Sequence, residues 1–213
     1  MPELKVVLTL RVDYVHDRKE IRESIDSNFV KLFRSLAMMP FFISNFGGKD
    51  YIEYYLNSVE PDLLVLSGGG DFDTFKERLD SERAILDWAK ARRIAVLGVC
   101  RGMQALCLYE GVGLRRVRGH VGCRHEIVWL DAEREDDLPR IVNSYHEFCV
   151  NECPSEYSRL AHGLGDTSEF CIEAIHHNSL PWEGWMFHPE RDFLWESAGL
   201  RRRILRLIGR VGE

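Results

Sequence analysis

The sequence has no apolar run longer than a strand. A membrane-spanning helix needs about 20 consecutive apolar residues, so none is expected. The first residues also lack a basic segment followed by an apolar one, the pattern of a secretory leader, and the expected compartment is the cytoplasm. Positive charge is in deficit: 28 Lys and Arg stand against 34 Asp and Glu, a net charge of −6. The short basic run at 201–206 reads as the solvated face of a terminal helix. Without a longer basic stripe, neither nucleic acid nor a membrane is an expected partner. Regular cysteine spacing is missing too. Six cysteines scattered through a chain with no leader read as reduced thiols, with no disulfide. The 213 residues suffice for one α/β domain, taken to span 1–213, but not for a second catalytic one.

What is present is an alternation of short apolar runs with helical patterns. Residues 4–12 are rich in aliphatic and β-branched side chains and read as a first central strand, after which Asp13 and Tyr14 open a loop. Ile21, Ile25, Phe29, Leu32, Phe33 and Leu36 recur at spacings of three and four, which predicts a helix over 18–39 that Pro40 stops. There follow a strand at 41–44, a helix at 50–58, a strand at 62–66, a helix at 80–92 with Ser81 as cap, and a buried strand at 94–98. Such βα alternation is buried most economically as a parallel sheet with helices on both faces. Residues 114–130 read as hairpin strands beside that sheet, and 131–137 as a solvated acidic loop. Two strands at 170–175 and 182–187 are joined by a turn at 178–181, and 195–211 is a basic amphipathic helix.

The chemistry gathers where strands end. Cys100 falls between an apolar strand and a helical run, in the spacing Gly98-x-Cys100-x-Gly102. Glycines flanking a residue at a tight strand-to-helix turn are the cysteine form of a nucleophile elbow, although a lone cysteine is more often simply buried. Ser67-Gly68-Gly69-Gly70-Asp71 closes an earlier strand. It reads either as a flexible loop or as an oxyanion site, because residues without side chains let backbone N–H groups approach a reacting carbonyl. The lack of a following Lys-Ser or Lys-Thr speaks against a phosphate loop. His188-Pro189-Glu190 places a histidine and a carboxylate two apart on extended backbone, hence on one side. Asn143, Ser144, Tyr145 and His146 form a polar cluster that could bind the charged end of a small substrate or make an ordinary turn. His120 and His125 read as structural or rim residues. His146, Cys149 and Cys153 fall short of the four ligands of a zinc site, so no metal and no cofactor is expected.

A glycine corner, then a cysteine, then a His-Glu pair supply oxyanion donors, nucleophile, base and orienter. In the wording LSGGGD, GVCRGMQ, VNSYH and FHPE, the chain resembles the class I glutamine amidotransferase superfamily, from about residue 63 to residue 190. The resemblance implies a flavodoxin-like, doubly wound, mostly parallel sheet with helices on both faces and a small β-hairpin addition. It implies Cys100 as nucleophile, His188 as general base and acid, and Glu190 as its orienter. The N–H groups of Gly69 or Gly70 and of Arg101 would hold the oxyanion. Gln104, Asn143, Ser144, Tyr145 and His146 would contact the glutamate end of a γ-glutamyl substrate.

Within the superfamily, CRG and NSYH are similar to the stand-alone γ-glutamyl hydrolases. Glu147 and Phe148 stand where many polyamine-pathway hydrolases have His and Gln. NSYH-x-F and FHPER instead look like the hydrolases that cleave γ-glutamyl-CDP-amidate to glutamate and cytidine diphosphoramidate, on the way to capsular phosphoramidate. For a nucleotide leaving group, His120, Arg124, His125 and Arg191 would be the rim contacts. The alternative is a glutaminase subunit delivering ammonia to a separate synthetase. A non-enzymatic chaperone or redox sensor on the same fold is the third reading.

Overall fold

The computed structural model describes residues 4–70, 74–130, 137–150, 152–164 and 171–210. A nine-stranded sheet forms its centre. The first half is parallel: β4 (Met38–Ile43), β1 (Leu4–Thr9), β5 (Leu63–Leu66), β6 (Ala95–Val99) and β13 (Trp182–Trp185) lie side by side in that order. The second half continues antiparallel through β12 (Ile172–His177), β11 (Tyr157–Leu164), β8 (Val121–Trp129) and β9 (Ile141–Tyr145).

Alternation along the parallel strands divides the core. Val6, Leu8, Leu63, Val65, Leu97 and Val99 face α1 (Ser27–Ser35) and α5 (Ala198–Leu207), where Phe29, Phe33, Leu200 and Ile204 meet them. Val7, Leu64, Leu66 and Val96 face α2 (Gly48–Val59), α3 (Lys76–Arg92) and α4 (Arg101–Tyr109). Strands buried on both faces read as continuous apolar runs, which is why these were legible. Each fully buried Leu or Phe contributes roughly 1.5–3 kcal/mol. Among the described residues no helix is long and apolar enough to cross a membrane.

Several elements differ from the sequence reading. The span 18–39 is not one helix. The first strand breaks after Thr9, and β2 (Arg11–Val15), which contains Asp13 and Tyr14, returns as β3 (Glu20–Ser24) in an antiparallel hairpin. Ile21 is half exposed there, so its helical spacing had no core behind it. The Asp26 side chain caps α1 by accepting from Asn28 N–H at 3.0 Å, so the helix starts only at Ser27. It ends at Ser35, well before Pro40, and Ala37 with φ +55° turns the chain into β4. Pro40 instead lies in the edge strand β4, where a missing N–H is tolerated.

Helix α3 begins at Lys76, and Ser81 is buried within it rather than capping it. Residues 121–129 are not a hairpin beside the sheet but β8 within it, between β11 and β9. Strand β11 was not foreseen: register shifts near Arg159 and Ala161 leave Leu160 and Ala161 both buried, which spoils a period of two. Two short strands, β7 (Arg115–Arg116) and β10 (Phe148–Cys149), pair separately. The expected acidic loop at 131–137 lies, except for Asp137, outside the described residues.

Candidate active site

Strand β6 ends one residue before Cys100, and α4 starts one residue after it. Cys100 has φ +52° and ψ −106°, a conformation that costs a non-glycine residue on the order of 1–3 kcal/mol. Its N–H donates to Trp185 O at 2.7 Å, which ties the turn to β13. The flanking glycines are sterically required. A Cβ at Gly102 would stand 1.9 Å from Leu66 O, and one at Gly98 would stand 2.6 Å from Gly102 O. The thiol is thus held at the positive end of α4, almost buried at 5% exposure.

His188 reaches it from the segment after β13. The His188 side chain lies beside Cys100, both within 3.5 Å of the position a Cβ would take at Gly68, and its Nδ1 lies 2.7 Å from Glu190 Oε1. A carboxylate can only accept, so the Nδ1 proton points to Glu190 and Nε2 serves the thiol. Both residues are buried, His188 at 3% and Glu190 at 1% exposure. Burial works against the imidazolium, but the hydrogen bonds with Cys100 and Glu190 and the charges of both outweigh it and lift His188 to about 9. Asn143 clamps the same residue: its Oδ1 accepts from His188 N–H at 2.8 Å and its Nδ2 donates to His188 O at 3.0 Å. Tyr145 sets its ring edge-on to the imidazole, with centroids 5.7 Å apart.

The glycine corner faces this pair. A Cβ at Gly68 would meet His188 Cε1 at 2.7 Å and Cys100 Cβ at 3.5 Å. Gly69 and Gly70 have φ of +81° and +78°. The buried guanidinium of Arg78 donates to the carbonyls of Ser67 at 2.7 Å, Gly68 at 3.3 Å and Gly69 at 2.5 Å. In a trans peptide the N–H points opposite to the carbonyl, so the Gly69 and Gly70 N–H groups are turned away from Arg78. Glu82 Oε1 accepts from Arg78 Nε at 3.0 Å and also from Arg101 Nη1, linking the corner to the first residue of α4. Sequence reasoning missed Arg78 and Glu82. Their i, i+4 spacing was available, but not their burial at 2% and 1%.

Ser67, Gly68, Gly69, His188, Glu190 and Arg191 line a solvent-open cleft whose far wall comes from Arg11, Ser24, Ile25, Asp26 and Phe29. Most of that wall is the misread hairpin and the turn after it. Of the residues expected at a leaving group, Arg191 lines the cleft, its Nε 3.1 Å from Asp26 Oδ2 and its guanidinium over the Tyr145 ring. Arg124 is exposed beside Asp192 at 3.5 Å. His120 and His125 turn instead towards Glu173 and His146.

The remaining residues of the expected glutamate handle are held within the protein. Gln104 Nε2 donates to Phe148 O at 2.7 Å and Ser144 Oγ to His120 O at 2.7 Å. His146 Nδ1 lies 3.0 Å from Phe148 O, and burial pushes that histidine down to about 3. Cys149 and Cys153 do not share a site with His146: Cys149 packs with Val117 and Cys171, whereas Cys153 donates to Tyr157 O.

Known proteins resemble this chain. The glutamine-hydrolyzing GMP synthase subunit of Thermococcus kodakarensis is 28% identical over 167 residues, covering 73% of this chain and 80% of that one. The gamma-glutamyl-CDP-amidate hydrolase of Campylobacter jejuni is 26% identical over 179 residues, covering 81% and 83%. Among solved structures, a GMP synthase subunit protein of Thermoplasma acidophilum superposes with a TM-score of 0.71 at 20% identity over 98% of this chain and 94% of that chain. The glutaminase domain of Trypanosoma brucei CTPS superposes with 0.68 at 15% identity, over 99% and 96%. The family model for glutamine amidotransferase class-I matches residues 17–194, and with the elbow, the glycine corner and the sheet that carries them, the chain belongs to the class I glutamine amidotransferase family.

Proposed function

We propose that the chain hydrolyses a γ-glutamyl amide through a thioester on Cys100. The observation that carries this reading is the strained Cys100 lying beside a histidine whose Nδ1 is held by Glu190 at 2.7 Å. With its proton on His188, the sulfur attacks the γ-carbonyl carbon. The carbonyl electron pair moves to oxygen, and the N–H groups of Gly69 or Gly70 and of Arg101 stabilise the anion. His188 gives its Nε2 proton to the departing nitrogen as the C–N bond breaks, leaving the γ-glutamyl thioester. It then takes a proton from water, whose oxygen attacks the thioester to release glutamate and restore the thiolate. Asn143 acts as a positioning residue for His188, and Gln104 with Ser144, Tyr145 and His146 shapes the glutamate end.

The favoured leaving group is an anionic nucleotide amidate, with γ-glutamyl-CDP-amidate giving cytidine diphosphoramidate. Support comes from Arg11 and Arg191 at the cleft and from similarity to the Campylobacter hydrolase over 81% of the chain. Guanidinium groups match phosphate oxygens in paired geometry. A glutaminase subunit is the second reading, favoured by similarity to glutamine-hydrolyzing GMP synthase subunits, which are named as parts of a larger enzyme. Glutamate release from glutamine and from γ-glutamyl nucleotide amidates separates the two. Turnover of the amidate by the chain alone, lost in Cys100→Ala, supports the hydrolase. Turnover of glutamine only with an added synthase subunit overturns it.

A further inference from the structure

A second group of chemistry-bearing side chains lies beside the antiparallel half of the sheet. His120, His125 and Glu173 each offer one donor atom, all within 4.8 Å of one another. His146 Nε2 lies 4.0 Å and His125 Nε2 3.6 Å from Glu173 Oε1. Glu173 is fully buried, and neither of its oxygens has a hydrogen-bond partner among the described residues.

The tautomers sharpen the picture. The Phe148 carbonyl can only accept, so His146 Nδ1 carries the hydrogen and Nε2 is left with a lone pair. His125 Nε2 has no hydrogen-bond partner among the described residues. Two nitrogen lone pairs and a buried carboxyl group without a hydrogen-bond partner among the described residues therefore converge, a set of acceptors that a bound cation would satisfy. His146, whose second nitrogen donates to a backbone carbonyl, is arranged as a metal ligand is.

His125 on β8 and Glu173 on β12 flank β11, whose Gly163 lies against both side chains. A Cβ there would stand 3.5 Å from His125 Nδ1 and 3.9 Å from Glu173 Oε1. The His120 main chain is pinned as well, because its carbonyl accepts from His146 N–H at 3.1 Å and from Ser144 Oγ at 2.7 Å.

We propose that His120, His125, His146 and Glu173 form a binding site for one divalent transition metal ion of zinc's class. Imidazole nitrogens and one carboxylate oxygen suit zinc, whose tetrahedral ligands at about 2.1 Å stand about 3.4 Å apart, so modest side-chain rotation closes the cluster. The ion would tie β8 and β12 to the residue following Tyr145, and so brace the strand that positions His188. The site shares His146 with the glutamate end proposed above, and its test is metal binding, which needs no turnover.

The test uses the full chain, stripped with a chelator and titrated with Co²⁺ and then Zn²⁺. The expected result is one Co²⁺ per chain with visible d–d absorption, displaced by one Zn²⁺, and without a thiolate-to-cobalt charge-transfer band. His125→Ala and Glu173→Gln should each weaken Zn²⁺ binding at least about tenfold. No saturable binding by the wild-type chain overturns the proposal, whether or not the variants fold. A thiolate band, which would move the ion to Cys149 and Cys171, overturns it too, as does unchanged affinity in folded His125→Ala.

Discussion

His188 stands between Cys100 and Glu190, and its raised pKa sets a pH dependence. Burial disfavours the imidazolium, but Cys100 and Glu190 more than restore it, raising His188 from 6.5 to about 9. A histidine raised on folding contributes stability below its unfolded pKa and loses that contribution as pH rises through the folded value. Urea unfolding midpoints should therefore fall between pH 6.5 and pH 9 more steeply in the wild-type chain than in His188→Gln. Equal slopes would contradict the pairing. Asn143 holds only main-chain atoms of His188. Asn143→Ala should lower kcat by about tenfold or more with KM nearly unchanged, and Asn143→Asp, which keeps the acceptor, should recover part of it.

Cys100, His188 and Glu190 were legible because elbow and pair are each local in sequence, with glycine and proline fixing the backbone around them. Arg78 and Glu82 were not, since a charged pair at i, i+4 on a helix looks the same whether it meets water or a buried loop. Arg78→Met should destabilise the fold by about 3–5 kcal/mol, because it leaves Glu82 buried beside a single cation. Chemical denaturation measures this.

The elbow and the glycine corner hang from neighbouring parallel strands, β6 and β5, so their spacing is set by sheet register rather than by loops. Gly102 packs where a methyl would strike Leu66 O. Gly102→Ala should cost more than about 2 kcal/mol and misplace the thiol, read as lower Tm together with lost turnover. The hairpin β2–β3 forms the opposite wall. Arg11 pairs there with Asp13 at 2.7 Å and lies against Gly69. If it meets the leaving group, Arg11→Ala should raise KM for a nucleotide amidate about tenfold or more and leave that for glutamine nearly unchanged. The hairpin escaped the sequence reading because Ile21 and Ile25 fell by chance into register with the true helix at Phe29. β11 escaped it because its bulge hides the alternation. The parallel strands were readable because burial on both faces demands unbroken apolar runs.

Taken whole, the molecule joins a rigid parallel half, which presents the thiol and the glycine corner, to an antiparallel half carrying Asn143, Tyr145 and the cluster around Glu173. β13 is the seam. It pairs with β6 and β12, binds Cys100 N–H through Trp185 O, and leads into His188. In the proposed reaction the nucleophile and base would thus be delivered by adjacent strands, and either leaving group would leave the same γ-glutamyl thioester intermediate. The most direct measurement is the intact mass of the chain quenched in acid during turnover of a γ-glutamyl amide, followed by peptide mapping. The account predicts a γ-glutamyl adduct on Cys100 that accumulates in the wild-type chain and is lost in Cys100→Ala. Glutamate release that persists in Cys100→Ala, or an adduct mapped to another cysteine, would contradict it.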